Sequence, residues 1–191
     1  MSTTTRLMTA DELMLLPKFV DGNDCFYELI AGELITMSPT GGTHGFVTAR
    51  LTIAIGQHVE AHDLGMMFGA ECAFKVETNP DTVIAPDVAF VRYEKMATVE
   101  NIDKFLPFAP DLAIEVLSPS NTVSEIDRKI ELFLAAGTQA VWIVNPRRRT
   151  ITIHPQQNAP RILTEADTLS DEEILPGFQY EIAKLFITGK R

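Results

Sequence analysis

The sequence lacks several features that define large protein classes. Its two cysteines, Cys25 and Cys72, form no CxxC motif and have no spacing typical of metal ligands, so we expect reduced thiols rather than a disulfide scaffold. No apolar run reaches the roughly 18 residues of a transmembrane helix. Residues 1–8 lack an apolar signal core, and we therefore expect a cytoplasmic protein with no membrane association.

The motifs of several enzyme classes are also missing. The sequence has no Walker loop, dinucleotide-binding fingerprint or G-x-S-x-G elbow, so a small-molecule hydrolase or transferase has little support. Basic residues are scarce: 16 Lys and Arg against 26 Asp and Glu give a net charge of −10. This charge argues against a protein that coats nucleic acid, and we expect weak DNA binding without metal. It does not exclude a nuclease, because a bound metal and a local basic patch can act against a negative background.

The chain is long and apolar enough to bury a full core. It has 191 residues, of which 46% are hydrophobic, and we expect one domain over residues 1–191. Periodicity and turn residues predict its elements. These are a helix from Thr9 to Leu16, a turn at 21–24, a β-hairpin at 26–30 and 33–37, a helix from His44 to about His62, strands at 66–77, 83–91 and 111–117, a helix from Thr122 to Gly137, strands at 140–144 and 149–154, and a closing turn and short helix over 175–186. The order predicts an α/β (α+β) fold with helices packed on a sheet.

Caps and periodicity define the predicted helices. Thr9 and Thr122 each precede a glutamate by three positions, which is the capping-box pattern, and Gly137 ends the later helix. The helix between them has a predicted buried stripe at i, i+4, i+7 and i+11. Its members are Val47, Leu51, Ala54 and His58.

Two isolated carboxylates interrupt the most apolar predicted strands. Asp87 lies within the run Ile84–Val91, and Glu115 lies within Asp111–Leu117. An unpaired buried charge costs several kcal/mol, and a divalent metal is a common way to satisfy such a pair. Because side chains alternate along a strand, each carboxylate shares its face with alanines while bulkier residues point away. If the two strands pair, both carboxylates can reach one Mg²⁺ ion.

A lysine from the next predicted helix completes this candidate site. Lys129 lies one turn from Ile126 and one turn from Phe133, so it borders the buried stripe of its helix. Its stem can follow the sheet and bring the ammonium toward the carboxylates, whereas Arg128 falls on the outer face. In phosphodiester hydrolysis a metal polarises the phosphoryl oxygen and lowers the pKa of a bound water. A nearby cation then stabilises the charge that develops.

These residues resemble the Uma2 family, formerly a domain of unknown function, which belongs to the PD-(D/E)XK nuclease superfamily. The similarity rests on Asp111–Ser120, preceded by Pro86–Asp87 and followed by Lys129. It extends over nearly the whole chain. Further similar segments are Tyr27–Leu34, Ser38–His44, Val141–Pro146 and Leu175–Phe178.

The resemblance implies a restriction-endonuclease-like core with a mixed central sheet, Mg²⁺ or Mn²⁺ as cofactor, and DNA as substrate. By motif position, Asp87 matches the PD aspartate and Glu115 the first acidic residue of (D/E)XK. The lysine expected two residues later is absent, because that position is Leu117. Lys129 is the matching lysine from the following helix. Related nucleases often pair, so the resemblance also implies a homodimer.

Three further features leave alternatives open. Glu28 in the hairpin either approaches the site as a further acid or pairs with a neighbouring cation. His44, after a Gly-Gly loop, either contacts the metal site or a phosphate, or is an ordinary helix-start histidine. The cluster Arg147–Arg149 either holds a DNA backbone or is a solvated turn. The missing lysine and the acidic charge also fit a nuclease fold that serves as a binding or regulatory module with little or no turnover.

Overall fold

The computed structural model describes residues 6–20 and 23–186. Within them the chain forms, in order, α1 (Ala10–Met14), β1 (Phe19–Val20), β2 (Asn23–Asp24), β3 (Phe26–Ile30), β4 (Glu33–Met37), α2 (Gly42–Ala61), β5 (Gly65–Gly69), β6 (Phe74–Glu77), β7 (Thr82–Ile84), β8 (Val88–Arg92), α3 (Tyr93–Met96), β9 (Leu112–Val116), α4 (Val123–Ala135), β10 (Ala140–Asn145), β11 (Thr150–Pro155), β12 (Arg161–Thr164), β13 (Thr168–Asp171), β14 (Leu175–Glu181) and α5 (Ile182–Leu185). None of these helices has the length and apolar character needed to cross a membrane.

A six-stranded mixed sheet lies at the centre, in the order β12-β11-β10-β9-β8-β5. Its β9–β10 pair is parallel and its other pairs are antiparallel. The crossover between the parallel strands is α4, since parallel neighbours need a long connection. One face of the sheet packs against α2, α5 and the β13–β14 hairpin. The other face packs against α4 and a second sheet, so β10 is apolar along almost its whole length.

The second sheet has four strands in the order β4-β3-β7-β6 and contains the predicted hairpin. The hairpin strands β3 and β4 have the predicted bounds. Ala31 and Gly32 both adopt positive φ, at 51° and 78°, which is the turn geometry that suits the twist of a two-residue hairpin. Of the predicted turn at 21–24, residues 21–22 lie outside the described residues, and residues 23–24 form β2. The flanking strands β1 and β2 pair antiparallel.

Two predicted strands are wrong, because the chain passes from one sheet to the other within each. The predicted strand 66–77 divides into β5 of the central sheet and β6 of the second sheet. The predicted strand 83–91 likewise divides into β7 of the second sheet and β8 of the central sheet. The predicted strands 111–117, 140–144 and 149–154 are confirmed as β9, β10 and β11, with small differences at their ends.

The crossing between β7 and β8 has a clear local cause. Pro86 has no N–H with which to continue a strand ladder. Ala85 donates its N–H to the side-chain carboxylate of Glu28 at 3.0 Å instead of to a backbone carbonyl. Asp87 therefore lies at the crossing between the two sheets rather than inside a continuous strand.

The predicted helix caps are confirmed, but the predicted stripe of α2 is partly wrong. Thr9 and Thr122 form capping boxes at α1 and α4, and Gly137 follows α4 with a φ of 96°. In α2, Ala54 and His58 lie beside the buried row rather than in it. The buried residues are His44, Val47, Leu51, Ile55 and Val59. An i, i+4 row is inclined to the helix axis, which suits a helix lying across a twisted sheet.

The segment after β11 contains more strand than predicted. The strand β12 extends the central sheet, and β13 pairs with β14 in a separate hairpin. The predicted closing turn at the start of 175–186 is instead the strand β14, whose Leu175 and Phe178 enter the core. The short helix expected there is confirmed as α5.

We expect Gly65→Ala to destabilise the protein by about 1–3 kcal/mol, which is the usual cost of overpacking. An added Cβ at Gly65 would collide with the backbone oxygen of Val91 and lie 2.9 Å from Cα of Arg92. The control is Gly69→Ala at the other end of β5, where an added Cβ meets nothing within 4 Å. That change should alter stability by no more than about 0.5 kcal/mol. Denaturant unfolding measures both variants, and equal stabilities would contradict this packing.

Candidate active site

Asp87 and Glu115 come together where β8 and β9 pair. The register aligns Val88 of β8 with Ile114 of β9. The next residues along these two segments, Asp87 and Glu115, therefore lie opposite each other. Opposed residues of an antiparallel pair project their side chains to the same face. The structure therefore brings the two acids together, although Asp87 precedes β8 instead of lying within it.

The ammonium of Lys129 bridges two buried carboxylates. Its Nζ lies 3.0 Å from Oε1 of Glu115 and 2.8 Å from Oε1 of Glu28. All three residues are less than a tenth exposed: Glu28 3%, Glu115 7% and Lys129 8%. The phase of α4 turns Lys129 to the sheet and leaves its neighbour Arg128 exposed. Leu117, at the position where the sequence resemblance implied a lysine, packs against a cluster that includes apolar residues of α4 and β10.

Asp87 is held by a histidine and by a backbone amide. Nε2 of His44 lies 3.0 Å from Oδ2 of Asp87, and the N–H of Val116 donates to the same oxygen at 2.7 Å. His44 belongs to the first turn of α2, which begins after Gly41 without a side-chain cap. Because α2 and α4 cover opposite faces of the central sheet, the two acids are held by helices from both sides.

Burial and mutual charge shift the pKa of three of these groups. Burial raises the pKa of Glu115 to about 7; Lys129 opposes this shift, and the Asp87 and Glu28 carboxylates add to it. Burial alone would lower the pKa of Lys129, but the carboxylates of Glu115 and Glu28 outweigh it and raise that pKa. The hydrogen bond to Asp87 raises the pKa of His44 against the opposing effect of burial. The cluster therefore favours a charged lysine and a protonated histidine beside its carboxylates.

The carboxylate oxygens at this site suit a divalent cation that keeps several water ligands better than one held entirely by protein ligands. Among residues 6–20 and 23–186, no three His, Cys, Asp or Glu side chains form a ready-made metal group. Each predicted ligand nevertheless keeps an oxygen for an ion: Oδ1 of Asp87 and Oε2 of Glu115 accept no hydrogen bond from these residues. Mg²⁺ usually takes one or two carboxylates and completes its shell with water and substrate oxygens. Asp87 and Glu115 therefore fit Mg²⁺ or Mn²⁺, while Glu28 is a third carboxylate, engaged by Lys129.

The structure places both accessory residues beside the predicted site residues, with His44 in contact with Asp87. Glu28 contacts Lys129 directly, so it pairs with a cation, and its part in catalysis stays a prediction. Its signal was the same as that of Glu115, a lone charge in an apolar strand. The amides of Ala85 and Val116, which hold Glu28 and Asp87, had no sequence signal, because a backbone donor is assigned only when the chain path is known.

We expect Lys129→Met to destabilise the protein by about 3–5 kcal/mol at pH 8, because it leaves buried carboxylates without their cation. The penalty should be smaller at pH 5. The pKa of Glu115 is already raised to about 7, and loss of Lys129 raises it further, so Glu115 is protonated at pH 5. The variant therefore loses stability relative to the wild type as pH rises from 5 to 8.

Denaturant unfolding at the two pH values measures this effect. Arg128→Met, at the exposed neighbouring position, is the control and should stay within about 0.5 kcal/mol of the wild type. A Lys129→Met penalty that does not change with pH would contradict the arrangement of charges.

Comparison with known proteins gives a family and a structural relative. The family model Uma2, described as "Putative restriction endonuclease", matches residues 10–184. The chain is similar to a crystal structure from Anabaena variabilis ATCC 29413, described as "a putative nuclease belonging to DUF820", with a TM-score of 0.76, 22% identity, and coverage of 94% of this chain and 97% of that chain. This likeness confirms the expected α/β (α+β) fold with a mixed central sheet. No curated protein matches the chain. Because the family model spans most of the sequence, the chain belongs to the Uma2 family.

Proposed function

We propose that this protein is a metal-dependent endonuclease that hydrolyses phosphodiester bonds in DNA. Its membership of a family described as restriction endonucleases supports a nuclease. The observation that carries the proposal is a group of two acids and a lysine: the half-buried Asp87 lies opposite the buried Glu115, and the buried Lys129 ammonium is 3.0 Å from Glu115. If Lys129 and Glu115 formed only a structural ion pair, the fold would not need Asp87 opposite Glu115.

Asp87 and Glu115 would hold Mg²⁺ or Mn²⁺ through the oxygens that accept no hydrogen bond. When bound, such an ion polarises a phosphoryl oxygen and lowers the pKa of a coordinated water. Oδ2 of Asp87 is fixed by His44 and by the N–H of Val116, so its other oxygen has a defined direction. We assign His44 the role of a positioning residue that acts through Asp87.

Lys129 would orient the attacking water and stabilise the negative charge that grows on the phosphoryl oxygens. Glu28 and Glu115 fix its ammonium in advance, and preorganised charge is worth most in a site that excludes water. In hydrolysis the water oxygen bonds to phosphorus and gives up a proton to solvent, the bond from phosphorus to the leaving sugar oxygen breaks, and that oxygen takes a proton from solvent. Lys129 thus takes the role of the lysine that Leu117 replaces, from a different element.

A second function has a specific observation in its favour. Lys129 already pairs with Glu115, and His44 already contacts Asp87, so both predicted metal ligands have protein partners without a metal. This arrangement, together with Leu117, fits a catalytically weak or inactive nuclease fold that acts as a binding or regulatory module. That function predicts weak metal affinity at most and no cleavage of any nucleic acid.

Several expectations from the sequence stay predictions. They are the homodimer, the cytoplasmic location, and the assignment of residues 1–191 to one domain. The proposed chemistry does not depend on them, because the residues placed at the site come from one chain.

We expect the purified protein to nick or cleave plasmid DNA with Mg²⁺ or Mn²⁺, and expect Asp87→Ala and Glu115→Gln each to reduce the rate about 100-fold or more. The reason is that a bound metal supplies several kcal/mol of transition-state stabilisation, and about 1.4 kcal/mol is a factor of ten. Glu131→Gln on the exposed side of α4 is the control and should cleave at the wild-type rate.

Calorimetric titration with Mn²⁺ separates the two functions. Binding that is lost in Glu115→Gln favours the enzyme, whereas absence of both binding and cleavage in the wild type favours the regulatory module. Cleavage that persists in Asp87→Ala would contradict the assignment of Asp87 and Glu115 as ligands of the catalytic metal.

A further inference from the structure

The turn between β10 and β11 concentrates positive charge on an acidic protein. It carries three consecutive arginines, Arg147–Arg149, in a chain of net charge −10. Arg147 and Arg148 are exposed. No carboxylate within the described ranges forms an ion pair with either of them, although seven other basic residues there do have such partners. Those two guanidinium groups are therefore available to an external anion.

The third arginine holds the turn in shape. Arg149 has a φ of 55°, and its guanidinium pairs with Glu165 and donates to the backbone oxygen of Phe186 at 3.3 Å. The turn is closed on its other side by Asn145, whose side-chain oxygen accepts the N–H of Arg148 at 3.0 Å. A structural role thus accounts for Arg149, but it does not account for the two side chains that project outward.

The turn leaves the sheet at the same edge as the candidate active site. In the parallel pair, Ile143 lies opposite Glu115, and the N–H of Leu117 donates to the backbone oxygen of Val144 at 2.8 Å. Arg147 is four residues beyond Ile143, so its Cα lies within about 20 Å of that of Glu115. At about 3.4 Å per base step, this distance corresponds to roughly six steps of a duplex.

We propose that Arg147 and Arg148 bind the phosphate backbone of double-stranded DNA and position it across the acidic site. This inference rests on the proposed function for the choice of ligand. Arginine presents a planar fork of donors that matches phosphate oxygens. Asp87, Glu115 and Glu28 repel a polyanion, and the net negative charge of the protein does not attract one. A cationic turn beside these acids supplies a local attraction for DNA.

The test measures DNA binding apart from cleavage. The full chain and its Arg147→Ala/Arg148→Ala variant are titrated against a fluorescent 20-base-pair duplex in EDTA, by anisotropy, at salt concentrations from 50 to 200 mM. Loss of two phosphate contacts reduces the steepness of log K against log salt by about 1.8. The ratio of variant to wild-type Kd should therefore shrink about 12-fold across this fourfold change in salt.

Two further variants make the result specific to the turn. Lys18→Ala/Lys104→Ala removes the same charge from two other exposed positions and should keep the wild-type slope. Arg147→Glu/Arg148→Glu should weaken binding more than the alanine pair. Thermal unfolding checks that each variant is folded.

Four results would contradict the proposed contact between the arginines and DNA. A wild-type slope in the Arg147→Ala/Arg148→Ala variant, an equal change in the lysine control, or no binding of the duplex by the wild type would overturn it. So would binding of an RNA duplex of the same length in place of DNA. Cleavage with Mn²⁺ is measured on the same samples: a reduced slope without any cleavage supports the arginine contact and refutes the endonuclease, whereas cleavage with an unchanged slope does the reverse.

Discussion

The bridge from the Lys129 ammonium to Glu28 and Glu115 joins three parts of the molecule. Lys129 comes from the helix that covers the central sheet, Glu115 from a middle strand of that sheet, and Glu28 from the second sheet. Each of these charges is buried, and any one left alone would carry a large desolvation cost. The mutual position of the two sheets and the helix is therefore tied to the same contacts that build the site.

The crossing between the sheets depends on this network. Glu28 receives the N–H of Ala85, and Pro86 cannot extend a ladder, so the chain leaves the second sheet at this point and enters the central one. The next residue is Asp87, which the crossing delivers opposite Glu115. The crossing at Pro86 therefore both joins the two sheets and places Asp87 opposite Glu115. Moving the acid along the strand would also change how the two sheets meet.

Much of this was predictable from local chemistry. The hairpin at 26–37, the capping boxes at Thr9 and Thr122, and the isolation of Glu115 in an apolar strand depend on neighbouring residues, and the structure agrees with each. The divided strands were not predictable in the same way. The segments 66–77 and 83–91 have continuous strand-like composition, and nothing in the alternation of side chains shows that the two halves of each pair with different partners.

The sequence by itself determined which side chains are out of place in an apolar core, because the cost of burying a charge is a property of the residue and its immediate neighbours. It also determined that Lys129 faces the sheet, since helical phase follows from spacing. The tertiary structure decided that Glu28 and His44 join the group and that the Arg147–Arg149 turn lies at the same edge of the sheet. Those placements depend on strand register and on the packing of α2, which are set by contacts between residues far apart in the chain.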